Sequence, residues 1–142
     1  MLSVKRATLF ICLLLSACSS YEFYLNEQAI YTPPKLFTDY HIPDASLEAC
    51  IKQTIHEKKI TQAKGLQMLN CSSAGITSLE GLQIFKALER LNLANNSLRS
   101  VKGLAQLPQL KELKLDKNPE LNCADKDLIA TAVTLTLPAH CL

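Results

Sequence analysis

Leucines recur through the middle of the chain at a spacing of 22 residues. Leu66, Leu88 and Leu110 keep this step, as do Leu69, Leu91 and Leu113, and Cys71, Leu93 and Leu115. Asn96 and Asn118 continue the register, with Ala74 at the equivalent earlier position. Ile76 matches Leu98, Leu79 matches Val101, Gly81 matches Gly103, Leu82 matches Leu104 and Phe85 matches Leu107; Ile60 and Ala63 extend the pattern backwards as a degenerate half repeat. Within one period, Leu91-Asn92-Leu93 alternates with period two, which predicts a short strand with its leucines inward. Asn96 then falls where its side-chain amide can bond the backbone of neighbouring turns. Leu98 to Leu107 steps in threes, which suits a 3₁₀-like or extended return path. Each turn has one apolar side and cannot bury it alone, so the turns stack around a continuous core. A single amphipathic helix is the competing reading, and Asn95-Asn96, Gly103 and Pro108 inside the pattern speak against it.

Leu88-x-x-Leu91-x-Leu93-x-x-Asn96-x-Leu98 and Leu110-x-x-Leu113-x-Leu115-x-x-Asn118 resemble the consensus of the leucine-rich-repeat family, and the period resembles the short class of bacterial internalins. The resemblance covers about 60–123. It departs from the consensus at Ala74, where asparagine belongs, and at Pro119-Glu120, an apparent insertion before Leu121. What it implies is an α/β fold: a short right-handed solenoid of about three coils, with a parallel β-sheet on the concave side. The side chains between the strand leucines then line that face: Met68, Asn70 and Ser72, then Arg90, Asn92 and Ala94, then Glu112, Lys114 and Asp116. These are the candidate partner-binding positions, against the alternative that they are merely solvated. Arg90 beside Glu112 on adjacent strands suits an ion pair as well as a contact. Three strands about 4.8 Å apart make a face under about 20 Å wide. That is smaller than the roughly 800 Å² per partner of a standard interface.

The flanks read as caps. Leu47, Cys50, Ile51 and Ile55 lie on one side of a helix running from Asp44 to about Lys58, with Asp44 as N-cap after Pro43. Asp125 to Ala132 reads as a short helix, and Val133-Thr134-Leu135-Thr136-Leu137 alternates as a strand that stops at Pro138. Cys50, Cys71, Cys123 and Cys141 permit three connectivities. In the repeat register, Cys71 sits in the first full strand and Cys123 follows the third. Two strand spacings of about 4.8 Å exceed the roughly 7 Å Cα limit for a disulfide. Cys50–Cys71 and Cys123–Cys141 remain, one per cap, each worth on the order of 3 kcal/mol in the chain-entropy model.

The start of the chain reads as an address rather than as structure. Lys5 and Arg6 precede the apolar run Leu9 to Leu15, which is far short of the roughly 20 residues needed to span a bilayer as a helix. Leu15-Ser16-Ala17-Cys18 resembles a bacterial lipobox. The resemblance implies cleavage before Cys18 and acylation of that cysteine, which exceeds the two lipid signals needed for stable anchoring. Ser19, rather than Asp, follows it, which by the same resemblance favours the outer membrane. The divisions are then a signal peptide at 1–17, an aromatic-rich tether at 18–43, a cap helix at 44–59, repeats at 60–123 and a C-terminal cap at 124–142.

Composition narrows the function. The 142 residues carry a formal charge of +2 and are 20% charged and 48% hydrophobic, which rules out a disordered acidic or basic tail. Removing Lys5 and Arg6 with the signal leaves Lys+Arg at 13 against 13 Asp+Glu, so no electrostatic case for nucleic acid survives. No Cys-x-x-Cys pair suggests zinc, and His140-Cys141 is adjacent in sequence, which hinders the two from facing one another. His41 and His56 stand alone. No phosphate loop, catalytic triad or tuned carboxylate pair appears. The expectation is a protein that is not an enzyme, with no cofactor and no metal, which binds a protein partner at the bacterial cell envelope. The alternatives are a self-associating structural lipoprotein and an inhibitor of an envelope enzyme. Six of the eight aromatics fall in residues 21–40, either as extra binding surface or packed on the cap helix and the membrane interface.

Overall fold

The computed structural model describes residues 23–25, 28–129 and 134–142. The chain forms two compact units, Met1–Lys35 and Leu36–Leu142. In the first, β1 (Phe23–Leu25) pairs antiparallel with β2 (Gln28–Tyr31). No strand was expected in this aromatic stretch.

In the second unit, α1 (Ala45–Glu57) precedes four short strands: β3 (Met68–Asn70), β4 (Arg90–Asn92), β5 (Glu112–Lys114) and β6 (Thr134–Thr136). They form one parallel sheet in the order β3-β4-β5-β6. Leu69, Leu91, Leu113 and Leu135 face one another across it. The first three are buried, as are Leu66, Leu88 and Leu110 of the same repeats. Return paths run through 3₁₀ turns at Leu82–Ile84 and Lys102–Gln106.

Two asparagines bind successive turns together. Buried Asn96 accepts at Oδ1 from the N–H groups of Ala74 (3.1 Å) and Ile76 (3.0 Å) and donates through Nδ2 to the carbonyls of Cys71 and Leu93. Asn118, one repeat on, accepts from Leu98 and donates to Leu93 and Leu115. Backbone groups that a loop would otherwise bury unpaired are thereby satisfied. Ser73, Asn95 and Lys117, also one repeat apart, take the left-handed conformation that turns the chain out of each strand.

Asp44 caps α1 by accepting from the Leu47 N–H at 2.9 Å. Its other oxygen accepts from the Thr77 N–H, the Thr77 hydroxyl and the Ser78 N–H, so one carboxylate joins the helix start to the repeat region. Residues 36–43, assigned above to the tether, belong to the second unit: Ile42 is buried, and the rings of Phe37 and Tyr40 lie 6.1 Å and 5.8 Å from that of Phe85. Of the C-terminal helix expected over 125–132, the described part is instead a 3₁₀ turn at Cys123–Leu128, and residues 130–132 lie outside the described residues. The three-strand sheet was one strand short.

Candidate functional site

The strands alternate between core and surface. Met68, Asn70, Arg90 and Lys114 are exposed and Asn92 and Glu112 half-exposed, while the leucines between them are buried. Parallel pairing places these side chains in rows: Met68, Arg90, Glu112 and Thr134 in one, Asn70, Asn92, Lys114 and Thr136 in the next. Ser72 is exposed and Asp116 half-exposed, each two residues past its strand. Asn70 and Asn92 are partly occupied, accepting from the N–H groups of Ser72 (3.4 Å) and Ala94 (3.0 Å).

Arg90 and Glu112 are neighbours in register but form no ion pair. Glu112 pairs with Lys114 of its own strand at 3.5 Å, and among the described residues Arg90 has no acidic partner. The guanidinium is thus available to a ligand. A shallow depression of about 440 Å³ runs along these rows, and Thr54, Glu57 and Lys58 from the end of α1 complete its wall. A second hollow, of about 590 Å³, lies between residues 36–40 and α1, with Phe37, Tyr40, Ala49 and Ile55 in its lining. None of the expected strand-face residues reaches it, whereas Phe37 and Tyr40 of the aromatic stretch line it.

Thr134 and Thr136 extend the exposed face and were missed by sequence reasoning. A signal was present: Leu135 and Leu137 lie one further period beyond Leu113 and Leu115. The third anchor of the consensus is absent there, because Ala132 stands one period beyond Leu110.

The structure closes Cys50–Cys71 and Cys123–Cys141, with Cα separations of 5.9 and 5.2 Å. Cys18 lies outside the described residues. One expectation is corrected: the side chains of His140, Cys141 and Cys123 do converge, with their ligand-type atoms within 4.8 Å of one another. Neighbours in sequence reach a common point because the Ala139–Cys141 segment is a 3₁₀ turn. Both sulfurs are committed to the disulfide, and His140 Nε2 lies 3.1 Å from the Leu121 carbonyl oxygen, so the cluster offers no thiolate to a metal in this state.

A parallel ladder of short strands, returned through 3₁₀ turns and bound by buried asparagines, defines a leucine-rich-repeat-like fold. The structure is similar to internalin C2 from Listeria monocytogenes, with 26% sequence identity and a TM-score of 0.51 over 66% of this chain and 47% of that one. It is also similar to a second internalin from Listeria monocytogenes, with 20% identity and a TM-score of 0.44 over 69% of this chain and 37% of that one. The chain thus spans about half the length of internalin C2 or less of these neighbours. No protein-family model and no curated protein matches the sequence.

Proposed function

We propose that the chain is a non-catalytic, lipid-anchored leucine-rich-repeat module that binds a protein partner at the bacterial cell envelope, with Cys18 as the lipidated residue and the outer membrane as its location. α1 and the C-terminal turns serve as caps on a right-handed solenoid of about three coils plus the β6 strand, and the sheet is its concave face. The observation that carries the binding reading is the patch of Arg90, Asn92, Glu112 and Lys114 across two adjacent rows, exposed or half-exposed beside buried leucines. Such positions have no packing duty, and Arg90 is a common anchor type at interfaces. The lipid reading is supported by Leu15-Ser16-Ala17-Cys18 alone.

Reversing charge with Arg90→Glu and Lys114→Glu together is expected to weaken capture of a crosslinked partner from solubilised envelopes. The fold should hold, since exposed substitutions usually cost under about 0.5 kcal/mol. Unchanged capture by that variant would remove the strand face from the reading. As a control, Leu91→Ala should cost roughly 2–5 kcal/mol by opening the core. Cys18→Ser should abolish lipid labelling and release the protein from membranes. An unlabelled parent protein would remove the anchor.

A further inference from the structure

We infer that the outer edge of β6 pairs with the same edge of a second copy of this chain, antiparallel and centred on Leu135, joining two four-stranded sheets into one. The Thr134 N–H donates to the Lys111 carbonyl at 2.7 Å, and the Leu115 N–H donates to the Thr136 carbonyl at 2.8 Å. Thr134 and Thr136 therefore spend their backbone groups on β5. Strand backbone alternates in direction, so the N–H and C=O of Leu135 point the other way. β6 pairs with β5 alone, and no described residue takes up these two groups.

The opposite edge of the sheet is treated differently. At β3 the outward carbonyl of Met68 receives the Lys58 ammonium at 3.4 Å, and α1 is fastened beside the strand by Cys50–Cys71. Proteins commonly protect edges with a lysine, a proline, a bulge or a covering helix. Among the described residues none of these protects β6, which consists of Thr134, Leu135 and Thr136, residues that suit a strand.

Three features select a second copy as the occupant. Thr134-Leu135-Thr136 reads the same in both directions, so a two-fold axis at Leu135 places Leu135 opposite Leu135 and Thr134 opposite Thr136. The leucines form the hydrogen-bonded pair and exchange both bonds, while the threonines form the closer non-hydrogen-bonded pairs, where Thr–Thr contacts are favourable. Residues 133–138 carry no charge, so identical edges meet without the repulsion that like charges would impose. Of the four large hydrophobic side chains exposed among the described residues of 36–142, Leu128 and Leu142 belong to the same C-terminal segment as β6, at 47% and 94% exposure. So short an edge buries much less than about 800 Å² per partner, so the dimer assembles with rising concentration rather than permanently. It does not depend on the heterologous partner, but it doubles the number of strands presented to one.

The test uses the full chain in detergent, with Cys12 and Cys18 replaced by serine to remove unrelated thiols. Thr134→Cys and Thr136→Cys proteins are oxidised separately and as a mixture. The pairing places the two new cysteines about 4.5 Å apart in Cα, within the disulfide limit. The mixture should therefore yield crosslinked dimer at least about tenfold above either protein alone. Equal crosslinking by one protein alone, or none in the mixture, overturns the pairing. Sedimentation of the parent in a series up to about 1 mM should show mass rising toward a dimer, whereas Thr134→Lys with Thr136→Lys should stay monomeric with an unchanged melting temperature. A parent that stays monomeric throughout also overturns it. Partner capture is scored separately, so failure of either reading leaves the other standing.

Discussion

At the β3 end of the sheet, α1 brings Leu47, Ile51 and Ile55 into the core, all nearly inaccessible, and lies against the first strand. At the β6 end, the chain arrives through a 3₁₀ turn that contributes buried Asp125, with Ile129 just beyond it and Leu128 left exposed. The fastenings are otherwise alike. Each end has one disulfide, spanning 21 and 18 residues. Each has one aspartate gripping the return path: Asp44 holds Thr77 and Ser78, and Asp125 holds the Ser100 hydroxyl and the Val101 N–H one repeat later. Crosslinks and carboxylate clamps thus position an end. Hiding a strand edge takes an amphipathic helix as well, and only the first end has one among the described residues.

Removing the disulfides one at a time separates these contributions. Loops of 21 and 18 residues cost nearly the same to close, about 3 kcal/mol each in the chain-entropy model. Any difference therefore measures packing. Cys71 is 2% exposed and stands where the next repeats have buried Leu93 and Leu115. Cys50→Ala with Cys71→Ala should cost about 1 kcal/mol more than Cys123→Ala with Cys141→Ala, read from urea unfolding at an unchanged slope. Equal losses would mean that the docked helix adds nothing beyond its crosslink.

Gly81 and Gly103, one repeat apart, offer a smaller contrast. Gly81 has φ +89°, and a Cβ there would run into the His41 carbonyl oxygen and come within 2.9 Å of Ile42. The Gly103 backbone is ordinary, with the Leu79 carbonyl oxygen 3.3 Å from an added Cβ. Gly81→Ala should cost roughly 1–3 kcal/mol, whereas Gly103→Ala should stay within about 1 kcal/mol of the parent. Melting curves check both. Similar shifts would show that segment 41–42 does not press on the first return path.

The strand leucines and the buried asparagines were legible because one spacing imposes one environment on every copy. Leu69, Leu91 and Leu113 are buried for the same reason, and Asn96 and Asn118 make matching bonds. The start of α1 was legible from Asp44 after Pro43, but the second oxygen of that carboxylate was not. Its partners Thr77 and Ser78 lie 33 and 34 residues away and carry no local pattern. β6 was readable as a strand from alternation, yet its place in the sheet escaped, since Ala132 and His140 break the consensus on either side of Leu135 and Leu137. The β1–β2 hairpin was hidden by an aromatic-rich composition that suits a membrane-proximal tether as well as a strand.

The finest test of the contrast between the ends is a titration of Asp44. Burial pushes its carboxyl up, but bonds donated by the Leu47, Thr77 and Ser78 N–H groups and the Thr77 hydroxyl outweigh this and hold it below the ordinary carboxylate value. The folded state therefore binds the proton less readily than the unfolded state, whose carboxyl titrates near about 3.9. The stabilisation is fully present above that value and is lost as pH falls through the lower folded value. Asn at this position can still accept at the cap but cannot titrate. Its amide nitrogen cannot accept from Thr77 and Ser78 as the second carboxylate oxygen does, so Asp44→Asn should cost about 1–2 kcal/mol at neutral pH and flatten the fall in melting temperature below about pH 4. The site of the loss can be read directly. Protection of the Leu47 and Thr77 amides, which donate to Asp44, should drop in acid before that of the Leu104 and Leu107 amides near the far end. Simultaneous loss at both places would mean that the β3 end has no stability of its own to lose, and that the carboxylate clamp serves the whole repeat stack.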